Sequence, residues 1–294
     1  MGLQFSLKAA VVRICVIIFA GMTFSAVTAA GQTFYISCVG DNTVQKFDSK
    51  GQRIGQMVNF GDNTPAGLAF DKSGNLCVAV LGANIVEKFS STGEDQGISS
   101  RVGLIEPTAI AFDRNGDLYV ANRFNHRIGK YSARGAFTSL FVAKGLNTPT
   151  GLAFDKEGNL YVSNWGADTI QKISPKGADL GAFVSKGLNW PKGLAFDANG
   201  ILYVANSGDN TVRKFSPKGE DAGILVSSNL DAPTGLVFDE GGNLYVTNQG
   251  NNTVVKFSAK GENLGPFITS GAKGPSYIAI QSSTSQPATT PPAP

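Results

Sequence analysis

His126 is the only histidine among 294 residues, and that single count narrows the chemistry open to this chain. A zinc site built on several histidines is excluded. Proton transfer by a lone imidazole would need an acid or base partner, and none is identifiable around "NRFNHRIGK". No catalytic residue is therefore assigned. Recognition chemistry is better represented. Trp165 and Trp190 stand in short polar, Gly-bearing stretches, "SNWGAD" and "GLNWPKG", where a large amphipathic ring serves as a binding anchor. Arg123, Phe124, Glu106, Lys192 and Tyr277 break the local pattern in the same way. With His126 and the tryptophans they are the candidate lining of a groove for a peptide, glycan or small ligand. Asn63, Asn147, Asn189 and Asp231 each precede a proline by two residues, and a ring of such oxygens could hold Ca²⁺. No other cofactor is expected.

Each of these residues has a plainer reading that follows from the element positioning it. Prolines recur at Pro65, Pro107, Pro149, Pro191, Pro233 and Pro275, always 42 residues apart. A period in the low forties with strand-like content is the signature of a β-propeller, each copy being one four-stranded blade. Within a copy, "GLAFD", "NLYVSN", "TIQKIS" and "LGAFVS" read as four strands joined by tight turns. The first turn is "D-x-x-G", in which Asp binds backbone amides, and the last is "SPKG". In this frame His126 is equivalent to Asn42, Asn84, Asp168, Asn210 and Asn252, which are turn formers, and Trp190 could simply plug a gap between blades. Asn122, Asn164, Asn206 and Asn248 end second strands and should close loops through their amides. Cys38 and Val80 replace them in two copies and are expected to give one sector an apolar lip.

Five copies are complete. "TFYISCVGDNTVQKF…" supplies strands two to four of a sixth, and "PSYIAI" at its far end supplies the missing first strand. The expectation is an all-β, six-bladed β-propeller over residues 31–281, with the C-terminal strand completing the N-terminal blade so that no inner edge stays open. Large residues (Leu68, Phe70 and their equivalents) should pack on small ones (Gly67, Ala69 and theirs) between blades. The recurring Lys46, Lys88, Lys130, Lys172, Lys214 and Lys256 should lay their stems on the sheet with the head in water.

Residues 1–30 carry Lys8 and Arg13, an apolar run, and small residues up to Ala30, the order of a secretory signal peptide. The expectation is therefore a secreted or periplasmic protein with no stable membrane insertion after cleavage, and a monomer. Losing that segment leaves 23 basic against 22 acidic residues, so the charge falls from +3 to +1. Such a balance recruits no nucleic acid. Basic tips at Lys50, Arg134, Lys176, Lys218 and Lys260 are interleaved with acids and read as solubilising. Residues 282–294 are rich in Pro, Ser and Thr and should form a disordered tail. Cys38 and Cys77 fall at different places of neighbouring copies, so a disulfide is permitted but not required.

"PTGLAFDKEGNLYVSN" and "NRFNHRIGKYSARG" resemble the NHL repeat, and the likeness spans about residues 32–281. It implies a six-bladed propeller of the kind found in bacterial secreted proteins, sensor domains, peptide-amidating lyases and RNA-binding regulators. The first use is the one that suits an exported chain. A more distant similarity to gluconolactonase/regucalcin-like propellers implies, as the alternative, a divalent-metal-dependent lactonase or lyase. Their glutamate, asparagine and aspartate set has no clear counterpart here. What the shared residues specify is turns and core, which carry the fold and leave activity open.

Overall fold

The computed structural model describes residues 31–281; the signal-peptide and tail readings fall on residues 1–30 and 282–294, outside the described residues. Those described form six separate four-stranded antiparallel sheets. Blade 2 runs through Pro65–Phe70, Leu76–Val80, Ile85–Phe89 and Asp95–Ser100, and blades 3 to 6 repeat it from Pro107, Pro149, Pro191 and Pro233. Blade 1 joins Thr33–Cys38, Thr43–Phe47 and Arg53–Asn59 to an inner strand, Pro275–Gln281, from the other end of the chain. The closing register pairs Thr33 with Gln281, Phe34 with Ile280 and Ile36 with Ile278. Inner strands touch in the order 2, 3, 4, 5, 6, 1 and back to 2, which makes a ring. The protein is an all-β, six-bladed β-propeller.

Each hydrophobic cluster lies between two adjacent blades. One holds Tyr119, Ala121 and Ile128 of blade 3 against Leu160, Val162 and Ile173 of blade 4. Burying a Leu, Ile or Val side chain contributes about 1.5–3 kcal/mol, so every blade is stabilised mainly by its neighbours. The large-on-small scheme holds at the inner strands. A Cβ on Gly151 would collide with the Lys192 carbonyl, and one on Gly193 with that of Thr234. The inner-strand phenylalanines are only part-buried, and all but Phe112, which packs in the layer of Cys77, stand edge-on to the tyrosine of the preceding blade, as in Tyr161–Phe196 at 4.9 Å and Tyr203–Phe238 at 4.9 Å. Cys38 and Cys77 are free thiols in different interblade layers, with blade 6 and blade 3 respectively. Burial pushes both up to about 12, so neither is a reactive thiolate at neutral pH.

The recurring lysine does more than the sequence suggests. In four copies, those of Lys46, Lys130, Lys172 and Lys256, its ammonium lies over the second-strand tyrosine, 5.1 Å for Lys172 over Tyr161 and 5.0 Å for Lys256 over Tyr245. Lys88, Lys130, Lys172 and Lys256 also pair with the first aspartate of the D-x-x-G turn, at 2.6 Å for Lys88–Asp71 and 3.6 Å for Lys256–Asp239. The tyrosine hydroxyl donates to the same carboxylate, at 3.2 Å for Tyr161–Asp155. For Asp71, Asp155 and Asp239, burial alone would raise the carboxyl pKa. Hydrogen bonds from Asn75, Asn159 and Asn243 and the lysine charges outweigh it, so all three are held below the ordinary carboxylate range. A pKa depressed by folding means these groups stabilise the fold fully above their unfolded values near 3.9, and that contribution disappears as pH falls through the folded values. The urea midpoint should therefore fall as the pH drops below about 4, and Asp155→Asn should make the fall shallower. An acid limb unchanged by that substitution would remove the triad from the account.

Candidate functional site

The loops between second and third strands share one face of the ring with the loops joining blades, and backbone hydrogen bonds tie the two sets together. Leu81 N donates to Thr64 O, Arg123 N to Glu106 O, Trp165 N to Thr148 O and Gln249 N to Ala232 O. Where the axial channel opens on this face lies a cavity of about 310 Å³. Its wall has two tiers. The upper is the first residue of the two-to-three loop in five of the six blades: Val39, Leu81, Arg123, Trp165 and Gln249. The lower is the second residue of each inner strand: Ala66, Thr108, Thr150, Lys192, Thr234 and Ser276.

Tyr277 makes the floor. Four of its equivalents are glycine and the fifth is Ala109, so a full ring here has the channel to itself. The hydroxyl crosses the axis and donates to the carbonyl oxygen of Thr150, in the blade opposite its own. Its amide is fixed behind by Ser37 Oγ at 2.9 Å. Burial raises the phenol pKa, with Arg123 acting weakly the other way, so the floor stays neutral.

The wall is asymmetric. Blades 1 and 2 contribute Val39, Ala66 and Leu81. Blades 3 to 5 contribute Arg123, Trp165 and Lys192. Arg123 lies over the Trp165 ring at 5.9 Å, and Trp190 backs that ring at 5.6 Å with 35° between planes. Lys192 Nζ donates to Gln249 Oε1 at 3.3 Å. Burial, and then the charge of Arg123, lower the Lys192 pKa.

Of the residues singled out in the sequence, Arg123, Trp165, Lys192 and Tyr277 meet in this bowl. Trp190 is 51% exposed and stands behind Trp165, outside the cavity wall; Phe124 is 70% exposed and also outside it. Glu106 and His126 do not line it either. The Nδ1 of His126 accepts the Thr148 amide at 2.8 Å, and Asn84, Asp168, Asn210 and Asn252 accept the equivalent amides of Glu106, Trp190, Ala232 and Gly274. All five, with Asn42, have φ between 52° and 62°, so His126 is one stitch of a repeated seam. The strand-end asparagines close loops as expected: Asn164 Oδ1 accepts the Asn147 amide at 3.1 Å.

The lip expected from Cys38 and Val80 is corrected. Both are 0% exposed, because strand alternation turns them into the layers between blades. The residues after them, Val39 and Leu81, line the axial bowl instead. Gln249 and the threonines of the lower tier also escape a reading of the sequence, since small polar residues in a repeat look like turn and packing positions.

Asn63, Asn147, Asn189 and Asp231 sit one to a blade junction, packed on Gly82, Gly166, Gly208 and Gly250 of their own blades' loops. Asn147 is also hydrogen-bonded to Gly166 O and to Thr148 Oγ1. None lines the bowl. These residues therefore do not fit a shared Ca²⁺, and no group of three or more His, Cys, Asp or Glu side chains among the described residues is arranged to hold a metal. A larger cavity of about 980 Å³ opens on the opposite face against the D-x-x-G turns of blades 3 to 5. Its lining combines the repeat's own Asp, Tyr, Lys and Phe packing with exposed turn residues such as Arg114, Lys156 and Glu157, and the bowl, where large exceptions to the repeat converge, is the better candidate. Among the described residues no helix is long and apolar enough to cross a membrane.

The profile of the virginiamycin B lyase family matches residues 27–283. No curated protein matches the sequence. Among solved structures, a chain of a nidogen/laminin complex superposes with TM-score 0.76 at 22% identity, covering 85% of this chain and 98% of that one. A protein of unknown function from Bacteroides caccae does so with TM-score 0.70 at 16% identity, covering 85% and 98%. A catalytically inactive histidine-to-alanine variant of virginiamycin B lyase from Staphylococcus aureus, solved with quinupristin, gives TM-score 0.62 at 13% identity, covering 75% of each chain. At such identities the likeness is one of fold.

Proposed function

The chain belongs to the virginiamycin B lyase family, and from that premise we propose that it is a noncatalytic, extracytoplasmic binding module whose axial bowl holds a small ligand or the end of a peptide or glycan. The observation that carries this reading is the convergence of the repeat's exceptions. Arg123, Trp165, Lys192 and Tyr277 come from four different blades, are not dictated by packing, and line one closed-floored cavity. At about 310 Å³ it lies at the small end of ligand pockets, which suits a small molecule or one terminal residue of a longer chain. Export is supported by the leader pattern in residues 1–30. The shared fold with a chain of a nidogen/laminin complex offers a precedent for protein partners.

The family favours one further reading, a lyase or lactonase using a divalent ion. Elimination or hydrolysis needs a group that moves a proton at the bowl. The one histidine is committed to the Thr148 amide, no carboxylate lines the cavity, and the Asn/Asp ring is spread over separate junctions. The two readings separate in one experiment. EDTA, Ca²⁺ and Zn²⁺ should leave the melting temperature unchanged, whereas candidate glycans and peptides should perturb tryptophan fluorescence and raise stability, since a ligand that prefers the native state must do so. That response should vanish in Trp165→Ala. A metal-dependent rise in melting temperature together with turnover of a cyclic ester would favour the lyase.

A further inference from the structure

We infer that the bowl recognises an organic carboxylate carried on an apolar arm. The inference rests on the binding reading above and assigns the chemistry of its ligand. Its first support is an inventory of donors. The hydroxyls of Thr108, Thr150 and Thr234 already donate to Pro149 O, Pro191 O and Ala232 O at 2.9, 3.0 and 3.0 Å, and the Tyr277 hydroxyl to Thr150 O. Those oxygens can only accept. The Ser276 hydroxyl, the Gln249 amide and the Trp165 indole N–H remain as neutral donors, and the only charged donors among the lining residues are the Arg123 guanidinium and the Lys192 ammonium.

The second support is charge. No acidic residue lines the cavity, and neither Arg123 nor Lys192 forms an ion pair among the described residues. Lys192 is partly buried while Arg123 is exposed at the rim, and the burial of the Lys192 ammonium, and then the charge of Arg123 facing the same small space, disfavour its charged form. An anion between them relieves both costs. Packing does not explain them, because the equivalent places are filled by Ala66, Thr108, Thr150, Thr234 and Ser276, and by Val39, Leu81, Ser207 and Gln249.

Shape supplies the rest. The Arg123 guanidinium lies over the Trp165 ring at 5.9 Å, and a guanidinium offers an N–H fork of the kind that grips a carboxylate with two parallel hydrogen bonds. Across the bowl Val39, Leu81 and Ala66 offer aliphatic surface. A carboxylate on the blade 3 to 5 side with an aliphatic or aromatic arm toward blades 1 and 2 matches both halves. A free acid and the C-terminal residue of a peptide share that chemistry.

The test uses the full chain and four probes: 3-phenylpropanoate, its primary amide, and a tripeptide ending in phenylalanine with a free or an amidated terminus. Binding is read from tryptophan fluorescence and confirmed by calorimetry. At least one acid should bind, with its amide about ten- to a hundredfold weaker. Lys192→Gln and Arg123→Gln should each erase that preference while keeping the wild-type melting transition. Free acid alone binding points to a metabolite, and the peptide acid binding as well points to a chain terminus. Independently of any arm, in a Trp190→Phe background Trp165 should be quenched by iodide more strongly than by caesium, and Lys192→Gln should abolish the difference. Acid and amide binding equally, with a Trp165-dependent response, would overturn the charge assignment and leave the bowl standing. No response to any probe, with iodide and caesium quenching alike, would overturn the assignment and count against the bowl itself.

Discussion

A chain ending at Gly274 is expected to lose its cooperative melting transition, while one ending at Gln281 keeps it. The strand removed, Pro275–Gln281, is the inner strand of blade 1. Its loss leaves Phe34, Tyr35 and Ile36, all at most 2% exposed in the intact ring, beside an unpaired strand edge. It also takes away Ile278 and Ala279, which pack toward blade 6 and blade 2 respectively. Each buried aliphatic side chain is worth about 1.5–3 kcal/mol, and every inner strand touches two others, so the gap unsettles blades 2 and 6 as well. Against a total stability of about 5–15 kcal/mol for an ordinary domain, a loss of this order is decisive. Circular dichroism melting with size-exclusion chromatography would show it as a broad, early transition and an aggregated fraction. A sharp transition within a few degrees of the intact chain would mean that the remaining ring holds itself closed.

That closure is legible in the residues alone, because a proline every 42 positions sets the blade frame and the two fragments at the ends add up to one copy. The core is legible for the same reason: identical positions must mate with identical neighbours six times over. The site is legible only where it breaks the repeat with bulk or charge. Trp165, Lys192, Arg123 and Tyr277 announce themselves in an alignment of the copies. Val39 and Leu81 do not, since an aliphatic residue after a strand looks like one more core position, and only the ring tells which side of the strand faces the axis. The Lys–Tyr–Asp contact is hidden differently. Its members lie in two strands and a turn of the same copy, and the recurrence of each is visible while their convergence is not. Trp190 and Phe124 show the converse limit, where a conspicuous residue in the right loop points away from the cavity.

Replacing Tyr277 by alanine should open the channel beneath the bowl and destabilise the protein by about 3 kcal/mol, the low end for deleting a packed aromatic ring, because part of this ring already faces the cavity. The ring packs on both the blade 1–2 and the blade 3–4 clusters, so its removal loosens two sides of the channel at once. Tyr277→Phe isolates the hydroxyl: the ring stays, the bond to the Thr150 carbonyl goes, and the cost should be about 1 kcal/mol. Urea midpoints of the two variants separate packing from hydrogen bonding. The same pair bears on recognition. If Tyr277 sets the depth of the bowl, Tyr277→Ala should accept carboxylates with longer arms than the wild type does, while Tyr277→Phe keeps the original preference. Equal stability of Tyr277→Ala and wild type would mean that the ring spans the channel without supporting it. In the inner strand of blade 1, "PSYIAI", Tyr277 stands where blades 2, 4, 5 and 6 carry glycine and blade 3 carries Ala109, so the large ring is the one departure in size at this level of the channel.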